Sequence, residues 1–295
     1  MGNYYIGTSG FSYRDWEGPF YPQNLGKEEY LSYYAQHFSF VELNFTYYRR
    51  PEAPVMEKMI KKVPPGFLFS VKAHKSLTHE RGAGWKEEVE RFTEGIFPLV
   101  EGECLAGVLL QFPYSFHYTR ENRTYLAGLC SRLADGGSSL ARGSGGATEG
   151  SPTSAEAHTL PLFTEFRNAE WIKESVREEL ADRSIGFVIT DTPKLRNLPQ
   201  PENTVTSEYA YLRLHGRNED NWWTGDNTSR YDYLYSRQEL QEFLPLLRSI
   251  LNGSTRLFIA FNNHHKGQAV KNALMLREMI DPHTESNLNG VSNGI

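Results

Sequence analysis

Glu42, Lys72, Glu165, Arg167, Arg213 and His215 each lie at or near the end of a short stretch in which polar and apolar residues alternate. Glu42, Asn44 and Thr46 fall two apart, as do Ser70 and Lys72, Glu165 and Arg167, and the run Tyr209, Tyr211, Arg213 and His215. Residues two apart share one face of an extended chain, so each set points to one side. Gln111, Asp191 and Asn262 end three further stretches of the same kind. Glu42 or Glu165 would serve as general acid or base, with Lys72 as a partner and His215 as a proton shuttle. Lys72, Arg167 and Arg213 would hold an anion or stabilise developing charge. Glu42, Glu165, Asp191 and His215 are also an acceptable ligand set for Mn²⁺ or Mg²⁺. Against this, the chain has no HxH, HExxH or histidine-rich cluster, so the sequence requires no cofactor while allowing a divalent metal. The competing reading is a self-satisfied ion-pair network that fixes the fold, because structural networks also collect charges.

The elements that must position these groups alternate from end to end. Short apolar or alternating runs at 4–9, 40–46, 67–72, 107–112, 162–167, 185–191, 209–215 and 256–262 predict eight strands. Helical patterns lie between them at 29–38, 54–63, 85–100, 119–134, 170–182, 233–251 and 267–280. Gly7-Thr8-Ser9-Gly10 lacks the spacing of a dinucleotide-binding turn, which disfavours an open doubly wound sheet. The count predicts a single-domain α/β fold over 1–281, a TIM-type (β/α)8 barrel. Its chemistry would then gather at the C-terminal ends of the strands, where a polar pocket is expected. Residues 135–159, rich in Gly, Ser and Thr, read as a flexible insertion on the bottom face, and 282–295 as a polar tail.

Aromatic residues crowd the expected top loops: Phe11, Tyr13, Trp16, Phe20 and Tyr21 in the first, Tyr47 and Tyr48 in the second, then Trp171, Trp222 and Trp223. Rings with polar neighbours suit stacking on a sugar or a nucleobase; the alternative is that they pack on one another as a lid. The last two top loops, His215-Gly216-Arg217-Asn218 and Asn262-Asn263-His264-His265-Lys266-Gly267, stand where barrels commonly grip phosphate. The substrate- or anion-binding set read from these features is Tyr13, Trp16, Asn44, Tyr48, Arg49, Gln111, Arg167, Asp191, Arg213, Arg217, Asn262 and Asn263. His79, His264 and His265 read as loop histidines, with contact to substrate as the alternative.

Composition narrows the class. The 295 residues are 39% hydrophobic and 23% charged, which is globular rather than disordered. The 31 basic and 36 acidic residues leave a formal charge of −5, which argues against a bulk nucleic-acid coat or a polybasic membrane anchor. Apolar runs are too short to span a bilayer, and Met1–Ile6 has neither a basic nor an apolar stretch, so no membrane partner and no secretory leader are expected. Cys104 and Cys130, in no CxxC pair, read as reduced thiols of a cytoplasmic protein.

Several of these segments together resemble the domain-of-unknown-function 72 family, the YecE-like proteins. The matching stretches begin with Gly7-Thr8-Ser9-Gly10-Phe11-Ser12-Tyr13 with Trp16, then Phe20-Tyr21-Pro22. They continue through Val41-Glu42-Leu43-Asn44, Thr46-Tyr47-Tyr48-Arg49, Phe69-Ser70-Val71-Lys72 with Thr78-His79, and Leu110-Gln111-Phe112-Pro113. Later come Glu165-Phe166-Arg167 with Trp171, Tyr211-Leu212-Arg213-Leu214-His215-Gly216-Arg217, and Phe261-Asn262-Asn263. The resemblance implies a TIM-type barrel and brings no assigned activity. Asn168 stands where the family commonly has histidine, and Phe11 where tryptophan is common. Three functions fit the residues: a hydrolase or isomerase acting on a sugar or phosphate-bearing small molecule by acid/base chemistry, a metal-dependent phosphodiesterase- or isomerase-like enzyme, and a non-catalytic nucleic-acid-binding protein. Nothing in the sequence sets an oligomeric state.

Overall fold

A computed structural model describes residues 3–143, 160–226 and 228–281. Eight parallel strands form one nearly closed barrel. They are β1 (Asn3–Thr8), β2 (Phe40–Leu43), β3 (Leu68–Lys72), β4 (Leu105–Phe112), β5 (Leu162–Phe166), β6 (Gly186–Asp191), β7 (Tyr209–Leu214) and β8 (Arg256–Phe261). Neighbours in sequence pair in space, and β8 pairs with β1. The seam between β1 and β2 is joined by a Ser9–Glu42 bridge, with the Gly10 amide donating to Glu42 O at 2.7 Å. Gly7 permits this closure, because a Cβ there would lie 2.1 Å from Phe40 O. The helices between the strands are α1 (Tyr30–His37), the single turn α2 (Phe45–Tyr48), α3 (Ala53–Ile60), α4 (Trp85–Glu101), α5 (Arg120–Gly143), α6 (Glu174–Asp182), α7 (Arg237–Gly253) and α8 (Gln268–Ile280). α7 starts on a capping box, with the Ser236 hydroxyl accepting from the Glu239 amide and the Glu239 carboxylate accepting from the Ser236 amide.

Two boundaries differ from the sequence reading. The segment 40–46 is not one strand: β2 stops at Leu43, and the chain turns into α2. The Thr46 hydroxyl lies 2.8 Å from Leu43 O and 2.6 Å from Lys72 O, so it ties the turn to the end of β3. Side-chain oxygens that satisfy backbone locally compete with a strand ladder. α5 runs to Gly143, so the first part of the expected 135–159 insertion is helical, while 144–159 and the tail 282–295 lie outside the described residues. No helix among the described residues is long and apolar enough to cross a membrane.

The barrel interior is split by height. Its lower part is an apolar plug of Phe40, Leu68, Ala106, Leu109, Phe163, Val188, Tyr211, Phe258 and Ala260. One pleat further up, the same faces carry Glu42, Ser70, Gln111, Glu165, Thr190, Arg213 and Asn262, all buried. The opposite faces feed Val41, Leu43, Phe69, Val71, Leu110, Ile189 and Leu212 into the larger core shared with the helices. The period-2 pattern therefore places charge on the axis and hydrocarbon outside it, as the alternation requires.

Candidate functional site

The buried charges on the axis form one network around Arg213. Its Nε and Nη2 donate to the two Glu42 carboxylate oxygens at 2.8 and 2.7 Å, and Nη1 donates to Glu165. The Tyr211 hydroxyl, rising from the apolar plug, donates to Glu42 at 2.7 Å. Arg167, two residues beyond Glu165, sets its Nε 2.5 Å from the other Glu165 oxygen. Burial works to raise the Glu165 carboxyl, but Arg167, Arg213 and His215 outweigh it and hold the group well below the usual carboxylate range. His215 is pushed down to about 3 by burial and then by Arg167, so it is neutral. Asn262 Nδ2 lies 3.0 Å from its Nδ1, which makes Nδ1 the acceptor. Nε2 then carries the hydrogen and faces Glu165 Oε1 at 3.4 Å. Two carboxylates and two guanidiniums cancel, as deep burial of charge demands.

Above this floor opens a cleft of about 770 Å³ at the C-terminal ends of the strands. Lys72, His79, Arg167, Arg230 and His264 line it together with Tyr13, Asn44, Tyr47, Tyr48, Gln111, Tyr114, Trp222, Trp223, Tyr231 and Asn262, and no described lining residue is a carboxylate. Lys72 closes β3, and its Nζ sits 4.6 Å from the centroid of the Tyr47 ring. No carboxylate lies within ion-pair distance of it among the described residues, although Glu42 and Glu165 act on it from farther off. Burial, then Arg213, lowers its ammonium to about 7. His79 packs against the same Tyr47 ring at 4.9 Å, with its Nδ1 2.9 Å from the Thr78 hydroxyl. Burial, then Lys72 and Arg167, lowers it to about 4, which keeps the imidazole neutral. Arg167 stacks over Trp222 at 5.6 Å, and Tyr13 stacks face to face on His264 at 4.6 Å.

The structure brings most of the sequence-predicted residues to this end of the barrel, at two depths. Tyr13, Asn44, Tyr48, Lys72, Gln111, Arg167 and Asn262 line the cleft. Glu42, Glu165, Arg213 and His215 lie beneath it, each at most 1% exposed. Roles for Glu42 and Glu165 as general acid and base do not follow from that placement, since their oxygens are taken up by guanidinium and they do not border the cleft. His215, neutral and buried, likewise does not border the cleft.

Five other residues stand elsewhere. Val188 and Thr190 take the axial face of β6, so Asp191 points outward, to Arg217 at 3.0 Å and the Tyr235 hydroxyl at 2.6 Å. Arg217 is thereby spent on Asp191, with Glu239 and Glu242 also near. Arg49 pairs with Glu52 on the surface. Asn263 ties Tyr233 O to Asn272. Trp16 is buried, its Nε1 donating to His264 O at 2.7 Å, so it supports the rim from behind. The proposed metal set fails on donor chemistry: Asp191 faces away, both glutamates are paired with guanidinium, and no group of three His, Cys, Asp or Glu among the described residues could hold an ion. Sequence reasoning missed Arg230, Tyr231 and Tyr114, and held substrate contact by His79 and His264 only as an alternative to a plain loop. The long loop between β7 and α7 carries the first two, and its Trp222-Trp223 pair was the available signal.

A second hollow, of about 670 Å³, lies at the opposite end of the barrel near the starts of β5 and β7, with Asp182, Arg183 and Glu208 as its charged lining. Barrel enzymes place their chemistry at the other end.

Comparison with known proteins agrees with this architecture. Residues 5–292 match the family model described as a protein of unknown function, DUF72. The chain is 28% identical over 293 residues to the UPF0759 protein YunF of Bacillus subtilis (strain 168), covering 94% of each. It superposes on the crystal structure of a DUF72 family protein from Thermotoga maritima MSB8 with a TM-score of 0.80 and 37% identity, covering 95% of this chain and 99% of that one. A DUF72 family protein from Enterococcus faecalis V583, 24% identical, shares the fold with a TM-score of 0.77 over 94% and 95% of the two chains.

Proposed function

The chain belongs to the DUF72 family, and from that premise we propose that its cleft binds an anionic, ring-bearing small molecule, a sugar phosphate or a nucleotide, as an enzyme's substrate. One observation carries the reading: no described lining residue is a carboxylate, and with Arg167 matched to Glu165 in the floor, Lys72 and Arg230 are left without a carboxylate partner among the described residues. A low-dielectric wall strengthens the attraction of such groups for phosphate. Arg230 offers a guanidinium fork for phosphate oxygens, and the rings of Tyr47, Trp222 and Trp223 offer faces for a sugar or a base. Acid/base work falls to Lys72, whose ammonium is lowered to about 7, with the neutral His79 imidazole beside it.

A thermal-shift screen of sugar phosphates, nucleotides and uncharged sugars tests this. Phosphorylated compounds should raise the melting temperature and uncharged sugars should not, with the shift lost in Arg230→Met. A shift by uncharged sugars alone would overturn the anion reading. Tight binding of an oligonucleotide with a steep salt dependence would favour a nucleic-acid partner instead.

A further inference from the structure

We propose that Lys72 is an amine nucleophile that forms a Schiff base with an aldehyde or ketone of an anionic substrate held in the cleft. This rests on the reading of the cleft as an anion site and names the substrate class further. Lysines that do covalent chemistry are desolvated or set beside other cations, so that a free amine is present at neutral pH. Lys72 meets both conditions. It ends β3 in the wall of the cleft, its Nζ lies on a ring face rather than a carboxylate, and Arg213 and Arg167 both disfavour its charge. The groups facing it from the packed elements are Glu42 on β2, Arg213 on β7, Glu165 at the end of β5 with Arg167 just beyond, and His79 after β3. The carboxylates among them are occupied by guanidinium. Lys72 is therefore the cation of the cluster that can give up its proton.

The step balances without an oxidant or reductant. The Nζ lone pair attacks the carbonyl carbon, forming the C–N bond, and the carbonyl oxygen takes up a proton to give a carbinolamine. The C–O bond then breaks, and the oxygen leaves as water with both amine hydrogens. Protonation of the imine by solvent leaves an iminium. The neutral His79 imidazole, against the same Tyr47 ring, is placed to carry the proton from nitrogen to oxygen. Arg230, on the cleft wall and with no carboxylate within ion-pair distance among the described residues, is placed to hold the substrate's anion while the carbonyl reaches Lys72.

The test treats the full chain with pyridoxal 5′-phosphate, an aldehyde that carries both a ring and a phosphate, followed by borohydride reduction and peptide mapping. At pH 7, Lys72 should be labelled ~10-fold or more faster than the surface lysines, because about half of it is free amine. Inorganic phosphate should slow that labelling. Lys72→Arg should abolish the adduct while keeping inorganic phosphate binding, and an unchanged circular dichroism melt would confirm folding. Labelling of Lys72 no faster than the surface lysines, with phosphate still bound by the wild-type chain, would overturn the Schiff base and leave the anion cleft standing. Fast labelling that phosphate does not slow would support the nucleophile and overturn the anion site. Absence of both labelling and phosphate binding would overturn both.

Discussion

Arg213 and Lys72 are two cations at the same end of one barrel, and they live under different rules. Arg213 sits in the floor, 1% exposed, with Glu42 and Glu165 closing on it from two strands. Lys72 stands in the cleft wall with an aromatic face as its neighbour. The floor has the marks of structure: every charge is matched, and the geometry is bidentate. The wall has the marks of a site: charge exceeds its partners, and the protonation state is poised near neutrality. Burial alone does not separate function from scaffold; the presence or absence of a matched partner does.

The largest effect should come from breaking the floor. Arg213→Met leaves Glu42 buried without a counter-charge and Glu165 with Arg167 alone, and loss of one side of such a pair costs about 3–5 kcal/mol. Urea unfolding at pH 7 should show that loss, and a change under 1 kcal/mol would mean that water already solvates the network. Lys72→Met should behave in the opposite way, with stability kept and binding of inorganic phosphate weakened roughly 10-fold or more, as for a lost charge-assisted contact.

The pH dependence sharpens the contrast. Lys72 is lowered from 10.5 to about 7 in the folded chain, so between those values the unfolded state holds more protons. Its contribution to stability therefore rises with pH across that window, by at most about 1.4 kcal/mol per unit and by less where solvent screens the half-buried ammonium. Phosphate binding has the opposite sign: the bound anion prefers the protonated amine, so affinity is full below about pH 7 and falls above it. The Lys72 share of both slopes should vanish in Lys72→Met, as followed by denaturation and by calorimetric titration. The smallest effect belongs to Arg49→Ala. An exposed pair such as Arg49–Glu52 is worth about 0–1 kcal/mol, and phosphate affinity should not change.

Much of this was legible in the sequence, for physical reasons that also mark where it stopped. Strict alternation in 209–215 and the pair Glu165/Arg167 gave the axial charges, because a strand has only two faces. The same parity misplaced Asp191, since without coordinates nothing shows whether Val188 or Ile189 lies inside. Strand 40–46 is overrun because Asn44 and Thr46 fit the alternation while the Thr46 hydroxyl ties a turn. Depth was hidden altogether: whether Glu42 borders solvent or lies under Lys72 depends on the stagger of neighbouring strands. Arg230 and Tyr231 arrive from a long loop whose path no periodicity encodes.

Lys72, and not the glutamates, is proposed as the reactive group at the mouth of this barrel. Chemical-shift titration of the Lys72 amine by NMR, in the free chain and with inorganic phosphate bound, measures it directly. A midpoint near 7 is expected in the free chain, with a clear upward move when phosphate binds. A midpoint at the ordinary lysine value in both states would contradict it.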